Sequence, residues 1–532
     1  MPKFSQKQSF IGGAAVLTAA VIIVKIISAI YKIPLGNILD DEGMGHFNVA
    51  YNVYNFLFTL STAGLPLALS KMTSEALALE KRNQVRKQLK VAFALFLVLG
   101  LAGFSVMFFF ARPLASMLQD SLAYPLILVL SPSAFCVCLV ACFRGYTQGH
   151  GNMIPTAVSQ VVESVFKLVV GLTLAFLLLR AGASIEIGGA GAIFGVTVGC
   201  VIALLYLVVY MLRHRDRTKT SDTPQSGRKI LKTLLAIGIP ITIGASAINI
   251  ISVLDQVIVM WRLETAFDLT EKAAAALYGQ YTFGMNLFNL PTSLARPLTI
   301  SLIPAVSAAI IQHNSSRAKR IIGSSFRITA MLALPAGVGM SVLAAPILRL
   351  LYPAVPKTAE AATYHLEILG FASVFVCIML LCNAILQACG HVNIPIVTAL
   401  IGGVTKLVVN YILCGDPNFG IKGAPIGTLV CYVIIAALDL IFVAIYVKDR
   451  PSYASVFAKP LVATAVMAAA AVASFDFLHA YVHMHSAAAV LGAILVSGAI
   501  YCVLVIALRI VTREDMSLLP KGDKIARILH IK

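Results

Sequence analysis

Runs of roughly 20 apolar, uncharged residues recur from one end of the 532-residue chain to the other, and a helix of that length crosses the ~30 Å hydrocarbon core of a bilayer. Fourteen such windows can be placed, near residues 9–31, 45–70, 90–111, 122–143, 155–179, 188–212, 230–256, 275–300, 322–348, 363–388, 394–414, 422–447, 457–478 and 486–508. They are rich in Leu, Ala and Val without period-two alternation. Every backbone N–H and C=O in lipid has to be satisfied within the protein, so runs of this kind form helices and not barrel strands. Hydrophobic residues make up 59% of the chain and charged ones 12%, with a mean hydropathy of +0.89, against about 25% charged in soluble domains. The sequence therefore predicts an all-α, polytopic membrane protein with 14 transmembrane helices. The first run carries Lys25 and ends in Tyr31-Lys32-Ile33-Pro34 without a small-residue cleavage site, so it reads as a span and not as a secretory signal.

Lys and Arg number 41 against 23 Asp and Glu, a formal net charge of +18. With the amino terminus placed in the cytoplasm, most of these basic residues fall in cytoplasmic segments, as the positive-inside rule requires. Both termini are thus expected on that side. Segments such as Lys81–Lys87 and Arg213–Arg217 then lie beside anionic headgroups, which makes anionic lipids expected partners and nucleic acid an unneeded one. The basic tail near 521–531 reads equally as a short amphipathic surface helix or a frayed end. Ten cysteines are scattered, nearly all within spans, without the His spacing of a zinc site, so neither a metal site nor a disulfide framework is expected. No phosphate-cradling loop ending in Lys-Ser/Thr occurs, so the chain is not expected to be an enzyme that hydrolyses ATP.

The chain also repeats itself. Asn55–Ser70 matches Asn286–Ser301 through Pro66 and Pro297, the Pro113 segment matches the Pro346 segment, and Gln148 with Lys167-Leu-Val-Val matches Gln387 with Lys406-Leu-Val-Val. The matches keep their order at a slowly growing spacing and pair spans two with eight, three with nine and five with eleven. Six spans separate the partners, so the halves share one orientation. The expected organisation is an N-lobe of six spans over 1–212, a basic cytoplasmic linker over 213–229 with the composition of a flexible loop, a C-lobe of six spans over 230–447, and two further spans with a basic tail over 448–532. Two such pseudo-symmetric lobes suggest rocking about a central cavity.

Four cations, Lys25, Lys167, Arg296 and Lys406, lie inside the apolar runs. Each costs roughly 2.5–3.5 kcal/mol at a helix centre on insertion scales, which makes them site candidates. For Lys25 the competing reading is snorkelling to the headgroups. Arg296 stands between Pro291 and Pro297, where a kink would free backbone groups beside a cavity. Glu163 lies four residues before Lys167 on one helical face, the favourable order for a neutralising pair. Lys406 has Gly402 at the matching place, so whatever balances it comes from another helix or from a ligand. Acids within or beside spans are Glu163, Asp255, Glu367, Asp439 and Asp476.

Tyr31-Lys-Ile-Pro-Leu-Gly-Asn-Ile-Leu with Glu42-Gly-Met-Gly45, Ser61-Thr-Ala-Gly-Leu-Pro66-Leu-Ala-Leu-Ser-Lys71, and Arg144-Gly-Tyr-Thr-Gln148-Gly with Asn152-Met-Ile-Pro155 through Glu163 resemble the stage V sporulation protein B branch of the MOP flippase superfamily, which is similar to MurJ-type lipid II flippases. The resemblance covers essentially the whole chain, with strong motifs in the first five spans and hydropathy alone in the last two. It implies a two-lobed transporter that moves an undecaprenyl-diphosphate-linked saccharide across the cytoplasmic membrane of a Gram-positive cell. A carrier of that cargo needs fixed cations for the pyrophosphate, bidentate from Arg and point-like from Lys, and Lys25, Arg296, Lys167 and Lys406 with Glu163 are the candidates. Asn249, Asp255, Asn410 and Asp439 fall on spans where the resembled MurJ-type proteins can hold a sodium ion, so sodium or proton coupling is a further expectation, with no other cofactor. The readings that remain are a flippase for lipid-linked peptidoglycan precursor, a flippase for another lipid-linked polysaccharide unit, a multidrug cation antiporter, and a non-transporting scaffold. The sequence sets no oligomeric state beyond a monomer as the simplest case.

Overall fold

The computed structural model describes residues 10–214, 220–312, 314–447, 452–482 and 484–510. Both chain ends, the expected tail helix at 521–531 and linker residues 215–219 lie outside the described residues, as does the side chain of Arg296.

Seventeen α-helices run in the order α1 (Phe10–Thr62), α2 (Leu65–Ala78), α3 (Arg82–Phe109), α4 (Ala111–Met117), α5 (Tyr124–Gly149), α6 (Ile154–Arg180), α7 (Ile185–Arg213), α8 (Gly227–Phe267), α9 (Glu271–Ile311), α10 (Ser315–Val342), α11 (Ala344–Leu351), α12 (Pro356–Ala361), α13 (Thr363–Ala388), α14 (Ile394–Leu413), α15 (Gly423–Tyr446), α16 (Tyr453–Asp476) and α17 (Ser486–Ala507). No strand occurs among the described residues. Eleven helical stretches there are long and apolar enough to cross a membrane. One of them, Val16–Ala78, holds the first two expected spans in a single run, and the seventh and eighth expected spans fall on α8 and α9, which are not among the eleven.

Helix boundaries follow local chemistry. Pro125, Pro155 and Pro395 sit in the first turns of α5, α6 and α14, where the missing N–H costs nothing and the fixed φ is already helical. Gly151 and Gly390, the residues two past α5 and α13, take φ of 73° and 89°, a region that a Cβ disfavours. These two glycines are repeat mates, and α5 and α13 are both 26 residues long. Inside α1, Asp40 breaks the helix with φ 58° and ψ −169°. The expected ninth span is divided, since α10 ends at Val342 and α11 begins at Ala344.

The chain packs as two compact units, Met1–Gly279 and Gln280–Lys532. In the first, Leu65, Leu69 and Met72 of α2 pack with Ala92 and Phe96 of α3, Cys142 and Tyr146 of α5, and Ile230 and Leu234 of α8. In the second, Leu302 and Val306 of α9 pack with Ile322 and Phe326 of α10, Leu381 and Ile385 of α13 and Val443 of α15. There too α16 and α17 lie against α10, with the Tyr501 hydroxyl donating to the Met331 carbonyl at 2.9 Å.

The described part of the linker is more ordered than its composition suggests. The Asp222 carboxylate accepts from the backbone N–H of Asn83 at 3.2 Å and of Gln84 at 2.9 Å, so it caps the start of α3 in the way a side-chain oxygen satisfies orphan helix donors.

Candidate functional site

Small residues set the frame. Gly195 and Gly199 of α7 face α6 so closely that a Cβ at Gly195 would stand 2.5 Å from the Gly171 nitrogen, and one at Gly199 2.4 Å from the Glu163 carbonyl. Apolar surface gains little from association inside lipid, so backbone approach of this kind carries much of the helix packing. It fixes the turn of α6 that bears Glu163 and Lys167.

Those two residues, with Ser164, Val196 of α7, and Val24, Ser28, Tyr51, Tyr54, Asn55 and Phe58 of α1, line a cavity of about 140 Å³. The Lys167 ammonium donates to the Tyr51 hydroxyl at 2.8 Å and lies 4.4 Å from the centre of the Tyr51 ring and 4.9 Å from that of Tyr31. Tyr31 is buried and its hydroxyl donates to the Ala192 carbonyl at 3.1 Å. Phe47, Tyr51, Tyr54 and Phe58 continue as a ladder of ring contacts 5.5–5.8 Å apart.

Glu163 does not pair with Lys167. Its Oε2 accepts from Arg144 Nη2 at 2.9 Å, and Arg144 Nε donates to Ser159 Oγ at 2.8 Å. Both side chains are largely buried, at 8% and 18% exposure. The expected i, i+4 neutralisation is replaced by an interhelical one, which leaves Lys167 to a phenol and two ring faces. Arg144 was thus the missed residue; it follows the apolar run of the fourth span directly.

Lys25 is exposed on α1, adjacent to Val24 of the cavity wall. Lys32, two turns further along, is half-buried and close enough to Lys25 and Lys167 to feel both charges. Of these three lysines Lys167 alone lines the cavity, and Lys25 and Lys32 lie on α1 outside its lining. Lys32 reads from sequence as a loop residue because the apolar run stops there, whereas α1 continues through it.

The other candidates are dispersed. Asn249 donates to Thr59 Oγ1 at 3.1 Å, tying α8 to α1, and Asp255 is buried on α8. In the second unit Lys406 is half-buried on α14, Asn410 is fully buried on the same helix against Gly427, and Asp439 is fully buried on α15 beside Thr398 and Cys382.

A family model described as polysaccharide biosynthesis protein matches residues 10–310, and a second, MatE, matches residues 271–412. Among curated proteins of Bacillus subtilis (strain 168), the chain is 28% identical to the membrane protein YabM over 97% of this chain and 96% of that one. It is 25% identical to stage V sporulation protein B, over 97% and 98%, and 26% identical to the lipid II flippase MurJ, over 75% and 76%. Of solved structures, an inward closed lipid II flippase MurJ aligns with a TM-score of 0.68 at 16% identity, covering 93% of this chain and 99% of that one. An inward-facing multidrug resistance MATE family transporter of the MOP superfamily aligns with a TM-score of 0.65 at 17% identity, over 81% and 98%. At such identities the structural likeness speaks for the fold.

Proposed function

Because the chain belongs to the polysaccharide biosynthesis protein family, whose model matches more than half of it, we propose that it is a flippase for an undecaprenyl-diphosphate-linked saccharide. It is a multi-pass bacterial membrane protein with a MurJ- and MATE-like transporter fold, and not an enzyme. The finer reading is a lipid II-like cell-wall precursor as cargo, carried by a chain of fourteen spans with both ends in the cytoplasm.

The observation that carries the reading is Lys167 in a cavity whose lining carboxylate, Glu163, is already taken by Arg144, with Lys32 of α1 near enough to feel the charge of Lys167. A site of that charge suits a pyrophosphate. Phosphate oxygens can replace the Tyr51 hydroxyl on Lys167 as charge-assisted acceptors, while the aromatic ladder offers faces for sugar rings. A cation antiporter, the reading suggested by the MatE match, would need an available acid where this cavity presents the Lys167 ammonium. Arg296 and Lys406 are the corresponding candidates in the second half, and Asp255, Asn249, Asn410 and Asp439 are candidates for coupling to sodium or protons.

Depletion of the protein in its own cell should cause a lipid-linked intermediate to accumulate on the inner leaflet, restored by the wild-type chain and not by Lys25→Ala or Lys167→Ala at equal membrane levels. An unchanged pool on depletion would refute the flippase reading; full rescue by both variants would move the pyrophosphate site elsewhere.

A further inference from the structure

At the end of the first unit that the basic-residue count assigns to the exterior, a buried histidine with an unused nitrogen sits beside two carboxylates. His46 is 0% exposed, and its Nδ1 lies 2.8 Å from both oxygens of Asp120, which is equally buried. A carboxylate accepts only, so Nδ1 carries the proton there, and in the neutral ring the lone pair is on Nε2. Nε2 makes no hydrogen bond among the described residues. A ring nitrogen of His46 and one oxygen each of Glu42 and Glu186 lie within 4.8 Å of one another, and with Nδ1 committed, Nε2 is the one available.

Left as drawn, this arrangement sets a lone pair against two anions, with an acidic neighbour behind. The cation supplied by the chain is Lys272, whose Nζ is 3.0 Å from Glu42 Oε1 and whose side chain is 61% exposed. It approaches from the solvent side and sits with Glu42, Glu186, Asp40, Asp41 and Ser184 around an open pocket of about 360 Å³. The backbones that carry these groups are tightly placed. A Cβ on Gly43 would stand 2.9 Å from Ile185, one on Gly45 2.1 Å from the Ala275 carbonyl, and one on Gly279 1.8 Å from the Asp41 carbonyl.

We propose that Glu42, His46 and Glu186 form a binding site for a divalent transition-metal ion, with Zn²⁺ as the fitting probe, and that Lys272 is the internal cation that the metal displaces. Two carboxylates balance the ion's charge, the imidazole selects a borderline metal over Mg²⁺, and Asp120 behind Nδ1 is the outer partner that orients a ligating histidine. Zinc bonds of ~2.0–2.2 Å require the oxygens to close in slightly, which Glu42 can do once it releases Lys272. A bound ion would tie the start of α7 to the segment of α1 beyond Asp40. The inference does not rest on the transport reading.

The test uses the full chain, purified through a tag without histidines, stripped of metal and held in nanodiscs, with Zn²⁺ and Mg²⁺ titrated separately by calorimetry and by thermal unfolding. One Zn²⁺ per chain, a raised melting temperature and a much weaker response to Mg²⁺ are expected. Glu186→Gln, at the half-buried start of a helix, should weaken Zn²⁺ binding about tenfold or more while leaving the fold intact, as should His46→Ala if that variant folds. Lys272→Ala should strengthen binding, which a merely structural ion pair would not do. Absence of Zn²⁺ binding, as when a second proton on His46 fills the site, would overturn the proposal. So would equal affinity in Glu186→Gln, or weaker binding in Lys272→Ala.

Discussion

The two halves of the repeat solve the same problem with different charges. On α5 and α6, Arg144 and Glu163 neutralise each other at 2.9 Å, and Lys167 is left to Tyr51. On α13 and α14, the repeat mates of those positions are Asn383 and Gly402, while Lys406 is kept. The buried pair has disappeared as a pair, and the lysine has stayed. An ion pair that is lost whole costs little, because breaking one partner alone strands a buried charge. A lysine present at the same place in both halves, at a cost each time in lipid, is the feature on which the proposed role toward an anion can be tested.

That comparison can be broken. Arg144→Ala strands Glu163 and should lower stability by about 3–5 kcal/mol, the range for a buried pair with one member removed, measured by thermal unfolding in detergent. Arg144→Asn combined with Glu163→Ala, which imitates the second half, should recover most of that loss; if the double variant is as unstable as the single one, the pair is not what distinguishes the halves. Next in size, Lys167→Ala should weaken binding of a pyrophosphate-bearing lipid by about tenfold to a hundredfold, the worth of one charge-assisted bond, with Lys167→Arg losing less. Lys406→Ala should show a comparable loss if both lysines meet the cargo, and a silent Lys406 would confine the site to the first half.

Packing gives a smaller contrast. A Cβ at Gly199 meets backbone, the Glu163 carbonyl at 2.4 Å, whereas at Gly402 it meets the Ile435 side chain at 2.2 Å. Gly199→Ala should therefore cost about 1–3 kcal/mol as overpacking, and Gly402→Ala less, since a side chain yields by a small shift more readily than a helix backbone carbonyl. Smallest is a pH effect near the end of α8. Burial, with Glu271 and Asp120 adding negative charge, pushes the Glu264 carboxyl up from 4.5 to about 7. The folded chain holds a proton there that the unfolded chain has released, so stability in metal-free buffer should fall as pH rises from about 4.5 to about 7. Glu264→Gln should flatten that slope; an unchanged slope assigns it to other groups.

Helix class and the positions of most spans were legible because hydropathy over 20 residues is a local signal. Lys167 and Lys406 were legible for the same reason, as charges inside apolar windows. Arg144 was not, since it stands just past the fourth window and its partner comes from another helix. Lys32 reads as a loop residue because the window ends where α1 does not. The meeting of Glu42, His46, Asp120 and Glu186 depends on three separate segments, and no spacing along the chain announces it. The 41-residue lengths of α8 and α9 were equally hidden, as residues 257–267 and 301–311 stay largely apolar and mark no boundary where a span of 20 residues would end.

Asp40 has one more consequence. Its φ of 58° with ψ near −169° belongs to a region that only glycine occupies without penalty, at about 1–3 kcal/mol for other residues. It is also the point in α1 that separates Lys25 and Lys32 from Tyr51. A Gly at this position would relieve that penalty, so the energetic cost of the break in the first helix sits in one side chain between the lysine-bearing and the aromatic segments.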